Sequence, residues 1–167
     1  NGVTLVGGNL IVPAGVSAFT VTVATIDDAI VDSASPESVP LVIGGVTGSG
    51  GIIDNDQPTI TTVEKGATGV GDDNVIEGND LVYNVALSSA TTIASTYAYA
   101  LGGGTATAGS DYTSAATFSN GVTLVGGNLI VPAGVSAFTV TVATIDDAIV
   151  DSASPESVPL VIGGVTG

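Results

Sequence analysis

The side chains able to do chemistry in this sequence are almost all carboxylates. Asp54, Asn55 and Asp56 form an acidic triplet in GIIDNDQP, Asp146, Asp147 and Asp151 lie in IDDAIVD, and Asp27, Asp28 and Asp32 repeat that run earlier in the chain. The remaining candidates are Glu64, Asp72, Asp73, Glu77, Asp80, Asp111 and Glu156. Sixteen acidic residues face one basic residue, Lys65, and His, Cys, Met and Trp are absent. Carboxylates gathered without a basic partner repel one another, so a cation from solution must compensate. Ca2+ suits the donors present, because it is a hard cation that takes about six to eight oxygens from carboxylates, amides and backbone carbonyls. IDDAIVD supplies two adjacent carboxylates, the Ile149 carbonyl and Asp151, and DND adds two carboxylates and an amide oxygen.

The same inventory argues against other chemistries. Nucleophilic triads need His or Cys, and a glycosidase carboxylate pair must be free to transfer protons, which bound calcium would prevent. No enzyme is expected. Nucleic acid needs clustered Lys or Arg on its phosphates, and an anionic membrane surface makes the same demand. No apolar run approaches the roughly 20 residues that span a bilayer, and no basic segment precedes an apolar one, so any export signal is expected outside these residues. TGVGDDNVI, residues 68–76, resembles one turn of a calcium-binding nonapeptide but has no consecutive copies, so it is read as a loop. GGG at 102–104 lacks the Lys-Ser/Thr of a phosphate loop. Tyr83, Tyr97, Tyr99 and Tyr112 are expected in the core rather than as a sugar platform.

The elements that must position these acids come in copies. Residues 1–48 recur letter for letter as residues 120–167, a period of 119 residues. That period has the size of a domain rather than of a solenoid turn. The chain therefore reads as a window of a tandem array: 1–56 is the C-terminal part of one copy, ending in the DND linker, and 57–167 is most of the next. On this reading neither acidic cluster is complete within the numbering. Unchanged copying favours length over a specific receptor site.

Every local pattern is β. AFTVTVATI (137–145) alternates, with Phe138, Val140 and Val142 on one face, and LVYNVALS (81–88) aligns Leu81, Tyr83, Val85 and Leu87. Residues 59–65, 95–101, 128–133, 157–163 and 116–119 supply further strands between Gly-, Asp- and Asn-rich turns. About seven strands per unit predict an all-β, antiparallel Greek-key sandwich of immunoglobulin-like architecture. The acids fall at strand ends and in loops, which places them at the ends of such a sandwich.

The run TATAGSDYTSAATFSNGVTLVGGNLIVPAGVSAFTVTVATIDDAIVDSASPE, with GSGGIIDND from the preceding copy, resembles a Calx-β domain. The pattern is TA-x-x-GSDY, F-x-x-G, a strand ending in an Asp pair, an acidic loop and an I-x-D-x-D terminus. Tandem, near-identical and rich in Ser, Thr, Gly and Val, the units are similar to the extender repeats of giant RTX adhesins of Gram-negative bacteria. The resemblance implies calcium ligands at Glu77, Asp111, Asp146, Asp147, the Ile149 carbonyl, Asp54 and Asp56. Asp151 replaces a common Glu, Asn55 interrupts what is often a triple Asp, and Glu156 lies nearby. Fewer carboxylates than in regulatory relatives imply affinities of about 10⁻⁴ to 10⁻³ M.

The function expected is a non-catalytic extracellular extender on the cell surface. Its partners are the neighbouring identical repeats, and calcium makes the linker rigid by bridging Asp54, Asn55 and Asp56 to Asp72, Asp73 or Asp80 of the adjacent unit. Pro58 stiffens the exit. The alternative is a repeat that itself grips a carbohydrate or another cell through calcium, in which case recognition loops should vary between copies. The repeated part varies nowhere.

Overall fold

The computed structural model describes residues 2–32, 34–66, 74–150 and 154–167. Two hairpins precede the main body, β1 (Thr4–Val6) with β2 (Asn9–Ile11) and β3 (Glu37–Ile43) with β4 (Val46–Ile52). The body then runs β5 (Ile60–Lys65), β6 (Asp80–Leu87), β7 (Ser95–Leu101), β8 (Tyr112–Phe118), β9 (Thr123–Val125), β10 (Asn128–Val131), β11 (Ala137–Thr144), β12 (Leu160–Ile162) and β13 (Val165–Thr166). All the strand pairs are antiparallel, and no helix occurs among the described residues. No helix there is long and apolar enough to cross a membrane. Short hairpin arms such as β9 and β13, too brief to show alternation, bring the body to nine strands where about seven were expected.

The body has a sheet in the order β5-β6-β11-β8 and a second in the order β13-β12-β7-β10-β9. Alternation puts Leu81, Tyr83, Val85 and Leu87 of β6 and Phe138, Val140 and Val142 of β11 on the inner face of the first sheet. Tyr97, Leu129, Val131, Leu160 and Ile162 belong to the same buried cluster from the second sheet, so the two sheets share one core. Register fixes the match: Val140 pairs with Tyr83, and Phe138 with Val85. Val140, Val142, Leu129, Leu160 and Ile162 have no exposed surface. Burying each aliphatic side chain of this size stabilises the fold by roughly 1.5–3 kcal/mol.

The tyrosines lie in or against the core, as the sequence predicted. The Tyr83 hydroxyl donates to the Val158 carbonyl, and the Tyr97 hydroxyl donates to the Pro58 carbonyl. Tyr99 meets Phe118 edge to face, with ring centroids 5.8 Å apart. The GGG run is a packing device. Gly104 lies flush on the strand leading into β12, where a Cβ would fall 2.1 Å from the Ser157 carbonyl oxygen. A Cβ on Gly102 would fall 2.4 Å from the Tyr112 hydroxyl.

Identical residues behave differently in the two copies. Residues 137–144 form β11 between β6 and β8, whereas the identical 18–25 form no strand. Val21 and Val23 are 44% and 65% exposed, while their counterparts Val140 and Val142 are fully buried. Strand formation here comes from tertiary partners, since β propensity measures packing against neighbours more than backbone preference.

Candidate functional site

The junction between the copies is pinned from both sides within five residues. On the first copy's side, the Asp54 N–H donates to Ser35 Oγ at 3.0 Å, and Asp54 Oδ2 accepts the Asp32 N–H at 2.8 Å. Asp54 Oδ1 accepts the Asp56 N–H at 2.8 Å, closing an Asx turn over Asn55. On the body's side, Gln57 Oε1 accepts the Thr96 N–H, the Pro58 carbonyl accepts from Tyr97, and the Thr59 N–H donates to Ser88 Oγ. Only Asn55 and Asp56 separate the two anchorages. Pro58, buried and with no N–H to satisfy, fixes the exit direction.

Asp54 is 9% exposed. A charge so buried without a basic partner persists because two backbone N–H groups aim at it. Partial burial, and then the charges of Asp54, Asp28, Asp27 and Asp32, push the Asp56 carboxyl above its ordinary value. Asp27, Asp28, Asp32, Asp54 and Asp56 thus share one field, as the sequence predicted, and Asn55 stands exposed among them. The donor set suits a hard cation: each Asp54 oxygen keeps a lone pair, and the single basic side chain, Lys65, lines a cleft at the other end of the body. Among the described residues, no three such side chains close into a cage by themselves, so backbone carbonyls or water would complete the coordination.

The facing surface differs from the one expected. Asp80 opens β6, whereas the junction lies at the Leu87 end of that strand, roughly 23 Å away at 3.3 Å per residue. Asp80 therefore does not bridge this junction. Asp72, Asp73 and Asp151 lie outside the described residues. The first copy instead meets a neutral hydroxyl face: Val31, Asp32 and Ser35 border a cleft of about 480 Å³ with Ser89, Ala90, Thr91 and Thr92. Thr91 holds that face to the β10–β11 turn, donating its N–H to the Val135 carbonyl and accepting the Gly134 N–H. Val31 is half-buried here, while its counterpart Val150 is 96% exposed. Runs of Ser, Ala and Thr carry no distinctive signal, which is why sequence reasoning passed over residues 88–92.

The second acidic group lies at the opposite end of the body. Glu77, Asp111, Ile149 and Glu156 border a cleft of about 610 Å³, together with Lys65, Leu81 and Val158. Asp111 Oδ2 accepts the Thr107 N–H and the Asp111 carbonyl accepts the Ile145 N–H, tying the GSDY loop to the end of β11. Asp147 Oδ1 accepts the Ile149 N–H at 2.6 Å, and Asp28 receives the Ile30 N–H in the same turn of the first copy. Asp146 packs against Gly78, where a Cβ would come within 3.0 Å of the Asp146 Cβ. Glu64 lies in β5 opposite Asn84 rather than in a loop. Lys65, expected on the surface, is only partly exposed and lines the acidic cleft.

No protein-family model, curated protein or solved structure matches the chain.

Proposed function

We propose that this chain is a non-catalytic, calcium-stiffened extender segment of a bacterial cell-surface adhesin. The observation that carries the reading is the junction, where Asp54 is held by the first copy and Gln57 and Pro58 by the body, with two residues between. A linker this short transmits orientation. Letter-for-letter recurrence of 48 residues fits a device whose output is length.

In this reading each unit is an immunoglobulin-like Greek-key sandwich of Calx-β type. The non-sequential pairing of β6 with β11, and of β7 with β10 and β12, supports it. Asp54, Asp56, Asp32 and the Asp27–Asp28 pair would hold Ca2+ at the end of one unit. The ion would neutralise their repulsion and let the hydroxyl face of the next unit close on Val31 and Ser35. Glu77, Asp111, Asp146, Asp147, the Ile149 carbonyl and Glu156 would repeat that role at the far end. Calcium binding only the folded, aligned state stiffens the array outside a Gram-negative cell, while the low-calcium cytosol leaves it looser for export.

Calorimetric titration of the 167-residue chain with CaCl2 tests this. Expected is binding with Kd of about 10⁻⁴ to 10⁻³ M, weakened at least tenfold when Asp54 and Asp56 are both replaced by Asn. Absence of binding up to 10 mM, or binding indifferent to that replacement, would contradict it.

A further inference from the structure

The chain carries two copies of a 48-residue segment, 1–48 and 120–167, and one copy of the segment that covers it, residues 60–118. In the body, 120–167 supplies β9 to β13 and donates Val140, Val142, Leu129, Leu160 and Ile162 to the core. The first copy presents the same side chains to solvent: Val21 is 44%, Val23 65% and Leu41 42% exposed. Both segments form their first hairpin in the same register, Thr4 with Ile11 and Thr123 with Ile130. Hence 1–48 differs from the seated donor in position along the chain and in nothing else.

We infer that residues 60–118 accept either segment, so that 1–48 exchanges with 120–167 on the same sheets within one molecule. The occupant of the exposed apolar face of 18–47 is this chain's own 60–118. Chain connectivity permits it. Gly167, the counterpart of Gly48, lies against the Val63 carbonyl, where a Cβ would come within 2.3 Å of the oxygen. With 1–48 seated, residues 49–59 would run from beside Val63 back to Ile60, about three residues along β5. Such a stretch reaches roughly 36 Å when extended, several times the need. Side-chain contacts would be the same in both states, leaving loop closure and the junction contacts of Asp54 to decide the population. The junction hydrogen bonds favour the seating of 120–167 seen here, and 1–48 becomes the minor occupant. Exchange between molecules leaves one donor open in every copy and adds the cost of association, so the intramolecular route is preferred. In an array of such units, every C-terminal half would fit every N-terminal half.

The absence of cysteine makes the test direct. Thr141 pairs with Val82 across β11 and β6, and the counterpart of Thr141 is Thr22. Antiparallel partners have Cα separations within disulfide range. The full chain carrying Val82→Cys with Thr22→Cys is oxidised with glutathione disulfide at low protein concentration and compared with Val82→Cys with Thr141→Cys. Expected is a crosslinked monomer that forms at least tenfold more slowly than the control pair but accumulates to the majority, at a rate independent of protein concentration. Val82→Cys with Ala18→Cys, four residues out of register, should crosslink at least tenfold less than the Thr22 pair. No crosslink, crosslinking confined to dimers, or equal yields at Thr22 and Ala18 would each overturn the inference.

Discussion

Replacing Asp54 by Ala removes the acceptor that two backbone donors share. The Asp32 and Asp56 N–H groups each lie 2.8 Å from one of its oxygens, and Asp32 is 22 residues distant in sequence. A hydrogen bond to a charged acceptor is worth about 1.5–3 kcal/mol when buried. Asp32 and Asp56 are both half-buried, so water can partly replace the lost partner. Discounting for that leaves roughly 1–1.5 kcal/mol per donor, or about 2–3 kcal/mol for closing the 32–54 contact. The body loses nothing, because none of its core residues touches this carboxylate. Amide hydrogen exchange by NMR reads the effect where it arises. The Asp32 and Asp56 amides should exchange about 30-fold faster or more, since each 1.4 kcal/mol is a factor of ten. The Val85 and Val140 amides should not change. Asp54→Asn, which keeps one acceptor, should fall between. Unchanged exchange at Asp32 would refute the claim that Asp54 fastens the junction, and a uniform rise across the body would show that junction and core are one cooperative unit.

Val85, 2% exposed and with no second copy of its sequence, should cost about 2–3 kcal/mol on substitution by Ala, combining lost transfer energy with a cavity. Val82→Ala, on the outer face of β6, should cost under about 0.5 kcal/mol, so equal urea midpoints for the two would contradict the assigned register. Burial, and behind it the charges of Tyr99 and Tyr112, raise the Tyr83 hydroxyl well above its ordinary range. With its folded value above its unfolded one, its stabilisation is full below about pH 10 and is lost as pH rises through the folded value. Tyrosinate absorbance should therefore climb together with loss of circular dichroism, and titration of Tyr83 with the fold intact near pH 10 would exclude this. Asp56 is raised in the same sense, so its protonation favours the closed junction. In chelator, Asp32 amide protection corrected for intrinsic rates should be greater near pH 4.5 than at pH 7, while with calcium present the order should reverse because protons compete with the ion. Equal protection at both pH values in chelator would sink that expectation.

Where side chains alternate over a long stretch, the strand was legible. Residues 81–87 and 95–101 fold as their pattern predicts, and both faces of 81–87 come out as read. Residues 18–25 have the same letters as β11 and remain without strand partners, which marks the limit of local reading: alternation announces a face but does not supply what covers it. At the candidate site, grouping of Asp27, Asp28 and Asp32 with the DND triplet was legible because the acids had no other counter-charge. The facing surface was not. Charge complementarity pointed toward more acids bridged by a cation, but β6 carries Asp80 to the far end and presents Ser88 to Thr92 instead. Lys65 was read as a surface residue because adjacent Glu64 and Lys65 in a strand point to opposite sides, and only the fold decides which side meets the cleft.

The most direct measurement is small-angle scattering with thermal unfolding on a chain of at least two complete units, in 10 mM calcium and then in excess chelator. For Kd of about 10⁻⁴ to 10⁻³ M, each ion stabilises the folded state by roughly 1.4–2.7 kcal/mol at that concentration. For units of this size, that should raise Tm by roughly 5–10 °C per ion. Chelation should lower Tm by that amount and convert a rigid, extended particle into a shorter or flexible one. A melting temperature and a maximum dimension both indifferent to calcium would contradict the calcium-stiffened extender and leave the acids as a solvated linker.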